Sequence, residues 1–316
     1  MDDIITAALV SSPFQALCAL EALKYFNCNY VDFYTIEDAQ NTAMIRTLLS
    51  DNGIALNVLQ PSKNTASWYR EHFGLKRYTK LIVGDIFSFP LLILTSIMAK
   101  FNSQVIFVDD GNSTITNNNG SIPKYTKSLK WRLAQSLLCL KNTEKVLFTI
   151  YPIEHYRNMT IITNTFKTLT SDICEQQPLG VYIIGTNTSM LNIDRDRYQS
   201  TLLQIKKYFK SEMVWYCPHR RDANCFADFC ISNKIKMYDT RVSVEYDFIQ
   251  QKNNPKIIIG FGSTALCTLK KIYPFAEIYN VHFETSDIRI AKAYEYISVF
   301  LKSQGVLTCS MDYWHA

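Results

Sequence analysis

The chain has 316 residues, 47% of them apolar and 13% aromatic, with 33 Lys and Arg against 28 Asp and Glu for a net charge of +5. That length and that much buriable surface exclude a disordered or collagen-like chain and predict two globular domains. The positive excess comes without a dense basic run or a reader motif, which argues against a nucleic-acid partner. Lys76 to Lys80 and Arg195 to Arg197 read as solvated faces.

The opening Met1-Asp2-Asp3-Ile4 puts no basic segment ahead of the apolar run to Val10, so no export signal is expected and a cytoplasmic chain is. The nine cysteines lack C-x-x-C pairs and are odd in number, which predicts reduced and mostly buried thiols. Ile86 to Met98 is the most lipophilic stretch. It falls short of the roughly 20 residues a membrane span needs, and reads as a core helix.

Short apolar runs alternate with helical patterns along the whole chain, the signature of an α/β protein with parallel sheets. In the first half the predicted strands are Ile4 to Val10, Val31 to Ile36, Leu56 to Leu59, Leu81 to Val83, Val105 to Val108 and Val146 to Tyr151. The polar segment 169–180, with its Gln-Gln-Pro, reads as a linker. It sets the domains at 1–178 and 179–316. In the second half the predicted strands are Val181 to Ile184, Met213 to Tyr216, Ile235 to Tyr238, Ile257 to Gly260 and Ala276 to Val281. Beyond them Ile290, Ala293, Tyr294, Ile297, Phe300 and Leu301 mark one face of a terminal helix; crossing back to tie the domains together and ordinary packing on its own sheet would both leave that trace.

Open parallel sheets bind ligands at the carboxyl ends of their strands, so the turns there carry the candidate chemistry. After the first strand, Ser12, Pro13 and Gln15 form a capping box whose helix N-terminus could also bind an anion or a sugar hydroxyl. Asp109-Asp110-Gly111 ends a buried strand. Side chains alternate there, so one carboxylate can enter a cleft as general base while the other orients the loop. Gly185 follows the first strand of the second domain and is a further candidate binding residue.

Pro218-His219-Arg220-Arg221 gathers donors suited to phosphate. A zinc site from Cys217, His219, Cys225 and Cys230 matches no standard ligand spacing. Gly260-Phe261-Gly262-Ser263-Thr264 is a glycine turn opening a helix, a generic anion site without the Walker signature. Asp194-Arg195-Asp196 could ligate a divalent metal, but its place ahead of a helical pattern favours capping.

Asp109-Asp110-Gly111, Pro218-His219, Ser263-Thr264 and the opening Ser12-Pro13-Phe14-Gln15-Ala16-Leu17 together resemble the motifs of bacterial sialyltransferases. The match in order and spacing is nearest to glycosyltransferase family 52, whose members act on lipooligosaccharide and capsular chains. The family's His-Pro order is reversed here. The resemblance implies two Rossmann-like domains (GT-B) with the active site in the cleft between them, an N-terminal acceptor domain and a C-terminal CMP-sugar domain.

It further implies inverting transfer of sialic acid from CMP-sialic acid to a terminal galactose. Asp110 is then the base, or an acid at Asp194 or Asp196 in its place, and His219, helped by Arg220, assists the departing phosphate. Ser263 and Thr264 bind phosphate oxygens and Glu245 the ribose. No metal cofactor is implied, because a monophosphate leaving group needs no bridging cation. Peripheral attachment to the inner face of the cell membrane and a homodimer stay open. So do a GT-B enzyme with another nucleotide sugar and a noncatalytic nucleotide-sugar-binding protein of polysaccharide assembly.

Overall fold

The computed structural model describes residues 6–60, 76–86, 88–111, 132, 136, 138–139, 141–156, 158–170, 179–189, 191–219, 226–285 and 287–314. The chain divides into two compact units, Met1–Leu169 and Thr170–Ala316, ahead of the boundary read at residue 178. Residues 171–178, the core of the polar linker segment, lie outside the described residues.

The first unit is built on strands β1 (Thr6–Leu9), β2 (Val31–Ile36), β3 (Leu56–Leu59), β4 (Tyr78–Val83), β5 (Ala99–Val108), β6 (Glu144–Thr149) and β7 (Thr160–Thr163). They form one sheet in the order β3-β2-β1-β4-β5-β6-β7, every neighbouring pair parallel. Parallel neighbours require crossovers. Helix α1 (Pro13–Tyr25) joins β1 to β2, α2 (Ala39–Asp51) joins β2 to β3, and α3 (Phe89–Met98) joins β4 to β5. The strand order reverses between β1 and β4, the place where such a sheet opens a crevice at its carboxyl edge.

Helix α1 is buried from Gln15 to Leu23 and packs against β4, β5 and α2, which is why its sequence is apolar on nearly every side. Helix α3 is the core helix expected within Ile86 to Met98; Ser88 caps it and Pro90 lies in its first turn. No helix among the described residues is long and apolar enough to cross a membrane.

The second unit repeats the plan. Strands β8 (Val181–Ile184), β9 (Val214–Cys217), β10 (Lys236–Met237), β11 (Ile257–Gly260), β12 (Glu277–His282) and β13 (Leu307–Ser310) form a second all-parallel sheet in the order β10-β9-β8-β11-β12-β13. Its order reverses between β8 and β11. The helices are α4 (Arg195–Tyr208), α5 (Ala227–Ser232), α6 (Val244–Gln250), α7 (Ala265–Ile272) and α8 (Ile288–Ser303).

Alternation along β8 separates two cores. Val181 and Ile183 join Tyr198, Leu202, Phe226, Ile259 and Trp314 on one side. On the other, Tyr182 meets Phe248 at 4.8 Å and Tyr238 at 6.0 Å in edge-on contacts.

The strands β7 and β13 were not anticipated, and β13 corrects the reading of the last helix. Helix α8 is not terminal: it is the crossover from β12 to β13, and it packs on both of those strands of its own sheet. Its Tyr294 lies over Gly262, whose φ is +65°, and a Cβ added at Gly262 would come within 1.9 Å of Tyr294 Cε2. Replacing Gly262 by Ala therefore combines a left-handed backbone with a clash. It should cost roughly 2 to 4 kcal/mol, whereas Gly53→Ala, at a φ of +69° with nothing within 4 Å, should cost about 1. Denaturant unfolding of the two variants makes the comparison.

Candidate functional site

The first unit brings Ser11, Ser12, Gln15 and Asp110 together at the β1/β4 switch point. Ser12 Oγ accepts the Gln15 N–H at 3.2 Å, as a helix cap should. The second half of the capping box differs from expectation. The Gln15 carbonyl accepts from the N–H of Ser11, not of Ser12, at 2.7 Å, and from Ser11 Oγ at 3.0 Å. Its amide nitrogen donates to Asp110 Oδ1. Gln15 is buried, so both ends of the side chain that the sequence marks for ligand binding are engaged by the protein.

The two neighbouring carboxylates have separate duties. Asp109 is fully buried at the end of β5. Its Oδ1 accepts from Thr149 Oγ1 at 2.6 Å and its Oδ2 from the Ile150 N–H at 2.7 Å, which ties the ends of β5 and β6 together. Asp110 is partly exposed at the crevice, and the chain turns away at Gly111 with a φ of +61°. Pleat alternation sends the two side chains apart.

In the second unit the candidates also gather at strand ends. The Gly185 N–H donates to the Cys217 carbonyl at 2.7 Å, and a Cβ at Gly185 would lie 2.8 Å from the His219 nitrogen. Glycine there lets the turn after β8 close against the turn that carries partly exposed Pro218 and His219. Arg220 lies outside the described residues.

Across the switch point, the Gly262 N–H donates to Asn280 Oδ1 at 2.8 Å. That oxygen also accepts from Tyr294 Oη at 3.2 Å, while Asn280 Nδ2 donates to Ser298 at 3.1 Å. Asn280, buried on β12, thus fixes the glycine turn through its backbone; sequence reading missed it because nothing distinguishes it from other strand asparagines.

The N-terminus of α7 is partly occupied. Ser263 Oγ accepts from the Ala265 N–H at 3.3 Å, and the Leu266 and Cys267 N–H groups donate to Ser263 and Thr264 carbonyls. Among the described residues this leaves the Ser263 and Thr264 N–H groups and the Thr264 hydroxyl without protein acceptors, three donors at a helix N-terminus. Such a set suits an anion.

Glu245 stands on the first turn of α6, which Ser243 caps, and is buried. Burial pushes its carboxyl above the ordinary value; hydrogen bonds from its own N–H and from Ser243 oppose the shift. Two residues on, Asp247 is fully buried. Its Oδ2 accepts the Val242 N–H at 3.0 Å, and Arg241 Nε stands 3.9 Å from Oδ1. Burial again raises its pKa against the pull of Val242 and Arg241.

Asp194 caps α4, its Oδ1 accepting the Arg197 N–H at 2.7 Å, and Asp196 lies exposed in the first turn. That is the capping arrangement. Cys230 belongs to the apolar core, and no three His, Cys, Asp or Glu side chains among the described residues converge as a metal would need. No described cysteine is in a disulfide.

No family model matches this chain, and no curated protein does. Solved structures do. The α/β-galactoside α-2,3-sialyltransferase of the luminous marine bacterium Photobacterium phosphoreum aligns with 98% of this chain and 99% of its own, at 12% identity and a TM-score of 0.57. The GT-B domain of a sialyltransferase from Photobacterium damselae aligns with 96% of this chain and 99% of its own, at 11% identity and a TM-score of 0.54.

Two predictions follow from the carboxylates. Asp109→Ala should lower stability by roughly 3 kcal/mol, since it strands a buried N–H and hydroxyl, while Asp110→Ala should unfold near the wild-type temperature. The second concerns pH. A carboxyl whose folded pKa lies above its unfolded value stabilises the fold while protonated, and that contribution is lost as pH rises from the unfolded pKa through the raised one. Asp247→Asn should therefore gain unfolding temperature relative to wild type as pH is raised from below 3.8, the ordinary aspartate value, toward neutrality. A difference that stays flat or falls would show an ionised Asp247 in the fold. The architecture itself is settled: this chain is an α/β protein of two parallel sheets with the GT-B glycosyltransferase fold.

Proposed function

We propose that the protein is an inverting sialyltransferase, related to glycosyltransferase family 52, that moves sialic acid from CMP-sialic acid to a terminal galactose of a capsular or lipooligosaccharide glycan. One observation carries the reading. A chain that follows the sialyltransferase fold from end to end has an oriented carboxylate, Asp110, at the switch point of its first sheet. At the switch point of its second it has a histidine turn and three donors that meet no acceptor among the described residues.

In the proposed reaction Asp110 takes the proton of the galactose hydroxyl as that oxygen bonds the anomeric carbon of sialic acid from the face opposite the nucleotide. The anomeric carbon to phosphate oxygen bond breaks, and the electron pair leaves with CMP. Donors aimed at the charge that develops on this phosphate lower the barrier more than donors aimed at the ground state. The Ser263 and Thr264 N–H groups and the Thr264 hydroxyl fill that role, and His219 adds a proton or a positive charge. Glu245, on the helix after β10, is assigned to the ribose hydroxyls. The reaction needs no metal in this scheme, because a single phosphate can be neutralised by these donors.

Incubation with CMP-sialic acid and lactose, with and without chelator, should release CMP and sialyl-lactose in equal amounts and be indifferent to the chelator. Turnover of a nucleotide-diphosphate hexose that depends on magnesium or manganese would replace this reading with another GT-B transferase. Nucleotide binding without release of CMP would leave a noncatalytic binding protein. Asp110→Ala and His219→Ala should each reduce kcat by roughly 10²- to 10⁴-fold in folded protein.

A further inference from the structure

We infer that Gln15 is the positioning residue of Asp110: it sets the orientation and the proton affinity of that carboxylate and is not itself a ligand contact. The inference deepens the sialyltransferase reading, and only its kinetic readout rests on that reading.

The orientation of the Gln15 amide follows from its partners. A peptide N–H can only donate, so the atom 2.7 Å from the Ser11 nitrogen is the amide oxygen. The amide nitrogen is thereby turned to Asp110 Oδ1, where a carboxylate needs a donor. The side chain is 1% exposed and cannot swing out to meet a ligand.

Room for it is provided by Gly84, just past β4, where a Cβ would lie 2.2 Å from Gln15 Oε1 and 2.6 Å from its Cδ. Three strand ends therefore cooperate on one hydrogen bond: β1 supplies Ser11 and leads into Gln15, β4 supplies the space, and β5 supplies the acid.

The strands that flank β5 are β4 and β6; Asp85 follows the first, Glu154 and His155 come after the second, and Asp109 is next in sequence, while Glu37 and Asp38 follow β2, three strands away. Asp38 is occupied as the cap of α2, and Asp109 is turned to Thr149 and Ile150. A neutral donor on Oδ1 favours the charged form of Asp110 without adding a cation that would compete for the acceptor, and it pins one oxygen in place.

Gln15→Glu separates positioning from helix capping. A carboxylate oxygen accepts from Ser11 N–H and Oγ as the amide oxygen does, so only the atom facing Asp110 changes. Two carboxylates then share that contact and titrate as a coupled pair. Carboxyl-carbon NMR should show the Asp110 midpoint raised by about one pH unit or more in Gln15→Glu. The acid limb of kcat/KM for sialyl transfer should move up by the same amount, with the KM for CMP-sialic acid within about twofold of wild type.

Gln15→Met, which removes the donor without adding charge, should raise the midpoint by less, and it serves if the glutamate variant fails to fold. An Asp110 midpoint unchanged in whichever variant folds would overturn the inference. Wild-type protein that releases no CMP would instead defeat the functional reading, and the NMR titration would still decide the role of Gln15.

Discussion

The backbone N–H of Ser11 has one thing to offer, a proton, and that fixes which end of the Gln15 side chain faces it. From this contact the carbonyl is committed to the end of β1 and the amide to Asp110 just past β5, 95 residues further along the chain. The bond depends in turn on a sheet in which β1, β4 and β5 lie side by side and parallel, so that their carboxyl ends share one edge. Had any of the three run the other way, Ser11, Gly84 and Asp110 could not meet.

The second unit solves the same geometric problem with different chemistry. Its switch point lies between β8 and β11, and glycines stand on both sides of it. Gly185 lets the β9 turn approach, and Gly262 is clamped by Asn280 from the neighbouring strand. Where the first sheet presents an acid, the second presents backbone N–H groups, hydroxyls and an imidazole. In the proposed reaction the acid would accept the proton and the donors would stabilise the leaving oxyanion.

How much of this could be read from sequence varies with burial. The strands Val31–Ile36, Leu56–Leu59, Val181–Ile184 and Ile257–Gly260 were legible residue for residue; β8 and β11 are covered on both faces and therefore read as uninterrupted apolar runs. The edges were not. Thr160–Thr163 and Leu307–Ser310 each keep most of their side chains at least partly exposed, and without β13 the helix before it looked terminal. The first half of β5 is polar and largely exposed, so the strand seemed to begin at Val105 instead of Ala99. At the site, the Asp-Asp-Gly sequence was visible, but which carboxylate is buried depends on β6, through Thr149 and Ile150. The pairing of Gln15 with Asp110 left no local trace, because a helix cap accounts for the same residues.

The proposed function assigns the acid at the first switch point and the anion donors at the second to one transfer. A crystal structure of the protein grown with CMP and lactose tests it most directly. The account predicts the phosphate against the Ser263 and Thr264 N–H groups with the His219 imidazole in hydrogen-bond reach, and a galactose hydroxyl on Asp110. A phosphate bound away from the turn after β11, or a sugar with no oxygen near Asp110, would contradict it.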